Sequence, residues 1–136
     1  MITLFVPGKL TNPLNGSLSR AHWSVKRKWA LSWQAATWNA LNALITSGWA
    51  PAPEVPKCVT FHAQTAKTFD DDGLRAALKP VRDALMGFPA STPRLFRVIH
   101  SDAPDSGHEF VYAQRIDRKA RGVQITISPR PRAGTE

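Results

Sequence analysis

Three consecutive carboxylates, Asp70, Asp71 and Asp72, stand between Phe69 and the pair Gly73-Leu74, directly ahead of a segment rich in basic residues. Adjacent carboxylates repel one another, and a divalent cation relieves that repulsion. On an extended segment, two residues of separation put Asp70 and Asp72 on one face and Asp71 on the other. Two such carboxylates suit a magnesium ion that keeps positions open for water and a phosphate oxygen, which is the chemistry of phosphodiester hydrolysis. A third metal ligand is expected from Asp102, with Asp105 as the reserve, because each follows an expected strand end from which a loop can return. The expected catalytic set is therefore Asp70, Asp72, Asp102 and a lysine. Lys79 lies two helical turns beyond Asp72 on nearly the same face, where it could meet a phosphate. Lys67, just before the acidic run, is the other option.

The rest of the chain has the opposite charge. Its 136 residues carry 18 Lys and Arg against 10 Asp and Glu, a formal net charge of +8. A basic surface around a concentrated acidic site is the pattern expected of a metal-dependent nuclease. Lys26, Arg27 and Lys28, with Arg75 and Arg82, are the expected phosphate contacts, which set affinity rather than sequence preference. Trp23, beside Arg20 and His22, is the tryptophan placed to meet a base or sugar. The alternative for the basic triplet is a solvated helix face, and for the acidic run a helix cap. His100 and His108 are a poor match to zinc-ligand spacing.

One domain of ordinary composition must position these residues, with 43% apolar residues and a single cysteine, Cys58, which excludes an intrachain disulfide. No stretch is apolar enough to span a bilayer, and the start lacks a signal-peptide pattern, so no membrane partner and a cytoplasmic location are expected. Residues 2–6 read as a strand, followed by a loop rich in Asn, Pro, Gly and Ser over 8–20. Ser24 is placed to cap a helix running to Thr46, with Trp29, Trp33, Ala36, Ala40 and Leu44 as its buried face. Alternation over 57–65 predicts a strand, and Asp72 is placed to cap a helix over 73–86 that Pro80 bends or breaks. Residues 96–99 read as a short strand. Residues 109–116 and 122–128 read as an antiparallel pair joined by a basic turn. The expected fold class is α+β, a small mixed or antiparallel sheet with two main helices, spanning 1–128, with 129–136 as a flexible basic tail.

The segment from Lys67 to Leu85 resembles the Asp-x-Asp-Asn-Leu motif and following helix of the RusA-like endodeoxyribonucleases, phage and prophage Holliday junction resolvases. Ser101-Asp102-Ala103 resembles their Asp-Asp-Ala segment. The order of strand, Asn15 loop, helix and closing hairpin follows the family as well. The resemblance implies metal-binding catalysis by Asp70, Asp72 and Asp102, a magnesium requirement, a homodimer, and paired nicks in branched DNA such as four-way junctions. It further implies phage or prophage origin and action in the bacterial host cytoplasm. Two departures stand out: Gly73 replaces the motif asparagine, and Ser101 replaces the first acid of the later pair. The family lysine would fall at Ala76, which leaves Lys79 as the nearest substitute.

Two other readings fit the same residues. One is a nucleic-acid-binding module that has lost catalysis. The other is a basic structural protein whose acidic run only caps a helix.

Overall fold

The computed structural model describes residues 1–89 and 91–130. Four strands, β1 (Ile2–Pro7), β2 (Lys57–Thr65), β3 (Glu109–Ile116) and β4 (Gly122–Pro129), form one mixed sheet in the order β1-β4-β2-β3. Three α-helices, the short α1 (Gly16–Ser19), α2 (Trp23–Thr46) and α3 (Asp71–Ala84), complete the regular structure with two single-turn 3₁₀ segments. This is an α+β domain.

The strand order corrects the expected closing hairpin. β3 and β4 are consecutive in sequence but do not pair. β3 lies parallel to β2, and β4 lies antiparallel to both β2 and β1. The turn between them steps across the end of β2, where Asp117 N–H donates to the Thr65 carbonyl (2.9 Å). The physical reason is burial. β4 buries Val123, Ile125 and Ile127, so it is stabilised by a partner on each side. β3 exposes Glu109, Val111, Arg115 and Ile116, and a charged strand suits an edge. Parallel neighbours require a crossover, and α3 forms it between β2 and β3.

Alternate residues of the sheet enter one core. Leu4, Val6, Val59, Phe61, Ala63, Val123, Ile125 and Ile127 meet Trp33 and Leu41 of α2 and Leu74, Leu78 and Val81 of α3. On α2 the buried residues are Trp33, Thr37 and Leu41, with Trp29, Ala40 and Leu44 half-buried, while Ala36 is exposed. Thr37 tolerates the interior because its hydroxyl donates to the Trp33 carbonyl (2.8 Å). The cap of α2 is His22, whose Nδ1 accepts from Ser24 N–H (3.2 Å), rather than Ser24 itself.

Residues 96–99 are not a strand. A 3₁₀ turn over Arg94–Phe96 leads into a strap whose Val98 N–H donates to the Leu85 carbonyl (2.8 Å). Both Val98 and Ile99 are fully buried. Of the expected tail, Pro129 ends β4, and Arg130 donates to the Pro56 and Gly107 carbonyls. Residues 131–136 lie outside the described residues.

One buried cation stands at the start of β2. Lys57, 6% exposed, donates through Nζ to the carbonyls of Ala52 and Val55. Its burial lowers the ammonium to about 8, against a smaller opposing pull from Glu54. Between about pH 8 and the ordinary value of 10.5, the unfolded chain holds a proton that the folded Lys57 has released. This group therefore adds stability as pH rises through that window, and its penalty is constant below it. Relative to Lys57→Met, the wild type should gain in melting temperature between pH 7.5 and 10. A relative loss would contradict the assignment.

Candidate active site

Asp70 lies at the N-terminus of α3 and is its cap: Gly73 N–H donates to Asp70 Oδ1 (2.9 Å). The expected cap, Asp72, is instead already inside the first turn with Asp71. The argument from extended spacing therefore does not apply to Asp70 and Asp72. They occupy the rim of a helix N-terminus, where carboxylates are favoured by the helix dipole. All three acids of the run are exposed. The approach to them is held by Gln114 of β3, whose side chain clamps the Phe69 backbone from both sides. Its Oε1 accepts from Phe69 N–H (2.9 Å), and its Nε2 donates to the Phe69 carbonyl (2.7 Å).

Gly73 has a specific structural reason. The space a side chain would take is filled by Asn12 from the loop after β1. A Cβ at 73 would overlap Asn12 Nδ2 and Asp70 Oδ1. Asn12 is held there by Leu14 N–H, which donates to its Oδ1 (2.9 Å). A side-chain amide thus reaches the turn from a distant loop, at the position where the resembling motif has its own asparagine. Gly73→Ala should destabilise by about 1–3 kcal/mol, because Asn12 or Asp70 must move. Asn12→Gly combined with Gly73→Ala should recover part of that loss in a thermal melt. An unchanged melting temperature in the single variant would show that the contact is loose.

α3 continues through Pro80 to Ala84 without a break. Leu74, Ala77, Leu78, Val81 and Ala84 face the core, which leaves Arg75 and Lys79 outside. Lys79 lies two turns beyond Asp72, as expected, and its Nζ pairs with Asp83 Oδ2 (3.0 Å). At 63% side-chain exposure that pair contributes little and leaves the ammonium available. The Arg75 guanidinium lies over the Tyr112 ring, 4.8 Å from its centroid.

Asp102 meets α3 at its other end. Its Oδ2 lies 3.4 Å from Arg82 Nε, close enough for an ion pair, although that N–H makes no hydrogen bond. Arg82 also donates through Nη1 to Tyr112 Oη (2.8 Å). Arg82 is therefore engaged with Asp102 and Tyr112 rather than standing open to solvent. It lies three turns from the N-terminal acids, about 16 Å along the helix axis. Asp105 is exposed in the 3₁₀ turn Pro104–Ser106.

Among the described residues, no three His, Cys, Asp or Glu side chains are gathered so as to hold a metal ion. The arrangement does not form a three-carboxylate cage from Asp70, Asp72 and Asp102. It does offer two carboxylates at one helix end, with Asp70 Oδ2 outside the capping bond. That set fits magnesium, which commonly takes one or two carboxylates together with substrate phosphate and water.

Arg27 and Lys28 are exposed and Lys26 is half-buried, all in the first turns of α2. Trp23, 67% exposed, leans its ring on His22 with 5.5 Å between centroids. His100 and His108 pack together, with His108 Nε2 3.1 Å from His100 Nδ1. His108 Nδ1 accepts from the Lys57 N–H (3.1 Å), so this pair ties the second 3₁₀ turn to the start of β2. Sequence reasoning missed Asn12 and Gln114. Gly73 in place of a motif asparagine was the signal for the first, and nothing local marks the second.

The sequence matches no family model, and no curated protein is similar enough to it to count as a match. No helix of the described residues is long and apolar enough to cross a membrane.

Proposed function

We propose that this protein is a magnesium-dependent endonuclease acting on branched DNA. The observation that carries the reading is the exposed Asp70–Asp72 rim at the N-terminus of α3, with a basic stripe on the same helix, in a chain of net charge +8. The resemblance of 67–85 and of the later Asp102 to the RusA-like resolvases supports it. Asp70 and Asp72 would hold the ion, which when bound would polarise the scissile phosphate and acidify a water. Lys79 would stabilise charge on the phosphate or leaving oxygen. Asp102 would serve as third ligand only after leaving Arg82; Arg82 otherwise positions it against α3. Arg75 and the triplet Lys26, Arg27, Lys28 would contact flanking phosphates. A homodimer, with one such site per subunit, suits a junction that has two strands to cut.

The test is incubation of the purified chain with a synthetic four-way junction, with and without magnesium. Paired nicks that require the ion are expected, and no cleavage at any magnesium concentration would overturn the reading. A second reading is favoured by the capping bond of Asp70: the acidic run may serve α3 alone. In that case magnesium titration should leave the melting temperature unchanged.

A further inference from the structure

A cleft of about 360 Å³ opens beside Asp70, between the loop after β1, the end of β2 and the turn before β4. Its lining brings together three cations that are far apart in sequence, Lys9, Lys67 and Arg121. Asn12, Asn15 and Phe69 line it as well. No carboxylate is among its lining residues. Elsewhere the fold neutralises its cations: Lys79, Arg82, Arg94 and Arg130 each lie within ion-pair distance of an acid. None of the ion pairs among the described residues involves Lys9, Lys67 or Arg121. The Nε of Arg121 is buried without a hydrogen-bond partner. The nearest acids in sequence are committed otherwise. Asp70 caps α3, and Asp117 Oδ1 accepts from the N–H groups of Lys119 and Ala120.

Unpaired cations lining one cleft call for an anion. The size selects among anions. The volume suits a ligand of nucleotide dimensions and is too small to admit a base-paired duplex. Amide side chains and an aromatic ring in the lining match the polar edge and flat face of a nucleotide better than they match a bare inorganic ion. The direction of the cleft matters too. Asn12 belongs both to its wall and to the contact over Gly73 and Asp70, and Phe69 immediately precedes Asp70.

We propose that this cleft seats one unpaired nucleotide of a nucleic-acid strand, its phosphate met by Lys9, Lys67 and Arg121, next to the Asp70 rim. The inference rests on the nucleic-acid reading above and extends it. The protein selects branched DNA because a branch offers unpaired nucleotides, and this cleft accepts them.

The test is binding by the full chain in the presence of EDTA, so that cleavage plays no part. Fluorescence anisotropy is measured with a labelled single-stranded oligonucleotide, a blunt duplex of the same sequence, and a four-way junction, across a salt series. Lys9 and Lys67 are exposed and unbonded through their side chains, so Lys9→Ala/Lys67→Ala should melt with the wild type. The double variant should lose about tenfold or more in single-strand affinity, and its salt slope should fall by roughly 0.7 for each lost phosphate contact. Duplex affinity should change by much less. Lys9→Arg/Lys67→Arg should keep the wild-type slope. Equal losses on single strand and duplex, or no loss on either, would overturn the cleft assignment while leaving the function standing. Failure of the wild type to bind any of the three DNAs at low salt would overturn both.

Discussion

Asp70→Asn should abolish junction cleavage, by about a hundredfold or more, while leaving the fold nearly intact. The two effects separate because Asp70 has two roles that use different properties of its side chain. As the cap of α3 it needs only an acceptor oxygen for the Gly73 N–H. The asparagine carbonyl provides one, and asparagine caps helices about as well as aspartate. What remains is the loss of a charge from the helix N-terminus, about 0.3–1 kcal/mol. As a ligand for magnesium, the same residue needs its negative charge, which asparagine lacks. DNA binding should survive or tighten, since a repulsive charge leaves a surface that meets phosphate. Cleavage and melting temperature measured on one preparation decide the matter. Asp70→Ala should lose cleavage and about 1 kcal/mol of stability together. Full cleavage by Asp70→Asn would remove this residue from the site.

The largest stability effect is expected at Phe61. This side chain is fully buried at the middle of β2. It stacks on Tyr112 and Phe110 of the edge strand, with ring centroids 5.5 and 6.4 Å away. Phe61→Ala should cost about 3–5 kcal/mol, from lost burial and the cavity left behind. Small domains have only about 5–15 kcal/mol in total, so the variant should sit near its unfolding threshold. The loss should reach the site as well. Tyr112 is the ring under Arg75 and the hydrogen-bond partner of Arg82, which in turn lies against Asp102. The midpoint of a urea titration is the measurement. A shift worth less than about 1 kcal/mol would mean that this stack does not anchor the edge strand.

Features that depend on near neighbours along the chain were legible before the structure. The alternation Val59, Phe61, Ala63 marks β2. The spacing of Trp29, Trp33, Ala40 and Leu44 marks the inner side of α2, although Ala36 faces out and Thr37 faces in. The acidic run marks the start of α3, off by the two residues that separate Asp70 from Asp72 as the cap. A cap is a local competition among adjacent acceptors for the same few N–H groups, so composition locates it only to within a turn.

Strand order was not legible, and the reason is physical. β3 and β4 each have the pattern of a strand, and a basic turn joins them, which locally favours a hairpin. Pairing is decided by burial across the whole sheet: the apolar β4 takes the centre and the charged β3 the edge. The same long-range choice placed Asp102 beside Arg82 and drew Gln114 onto the backbone of Phe69. By itself, the sequence determined the elements, the charge balance and the acidic start of α3, since those follow from composition and short-range periodicity. Only the tertiary structure decided that Asn12 would fill the space over Gly73 and that Lys9, Lys67 and Arg121 would share one cleft. Those contacts join loops far apart in the chain, and no local pattern encodes which loops will meet.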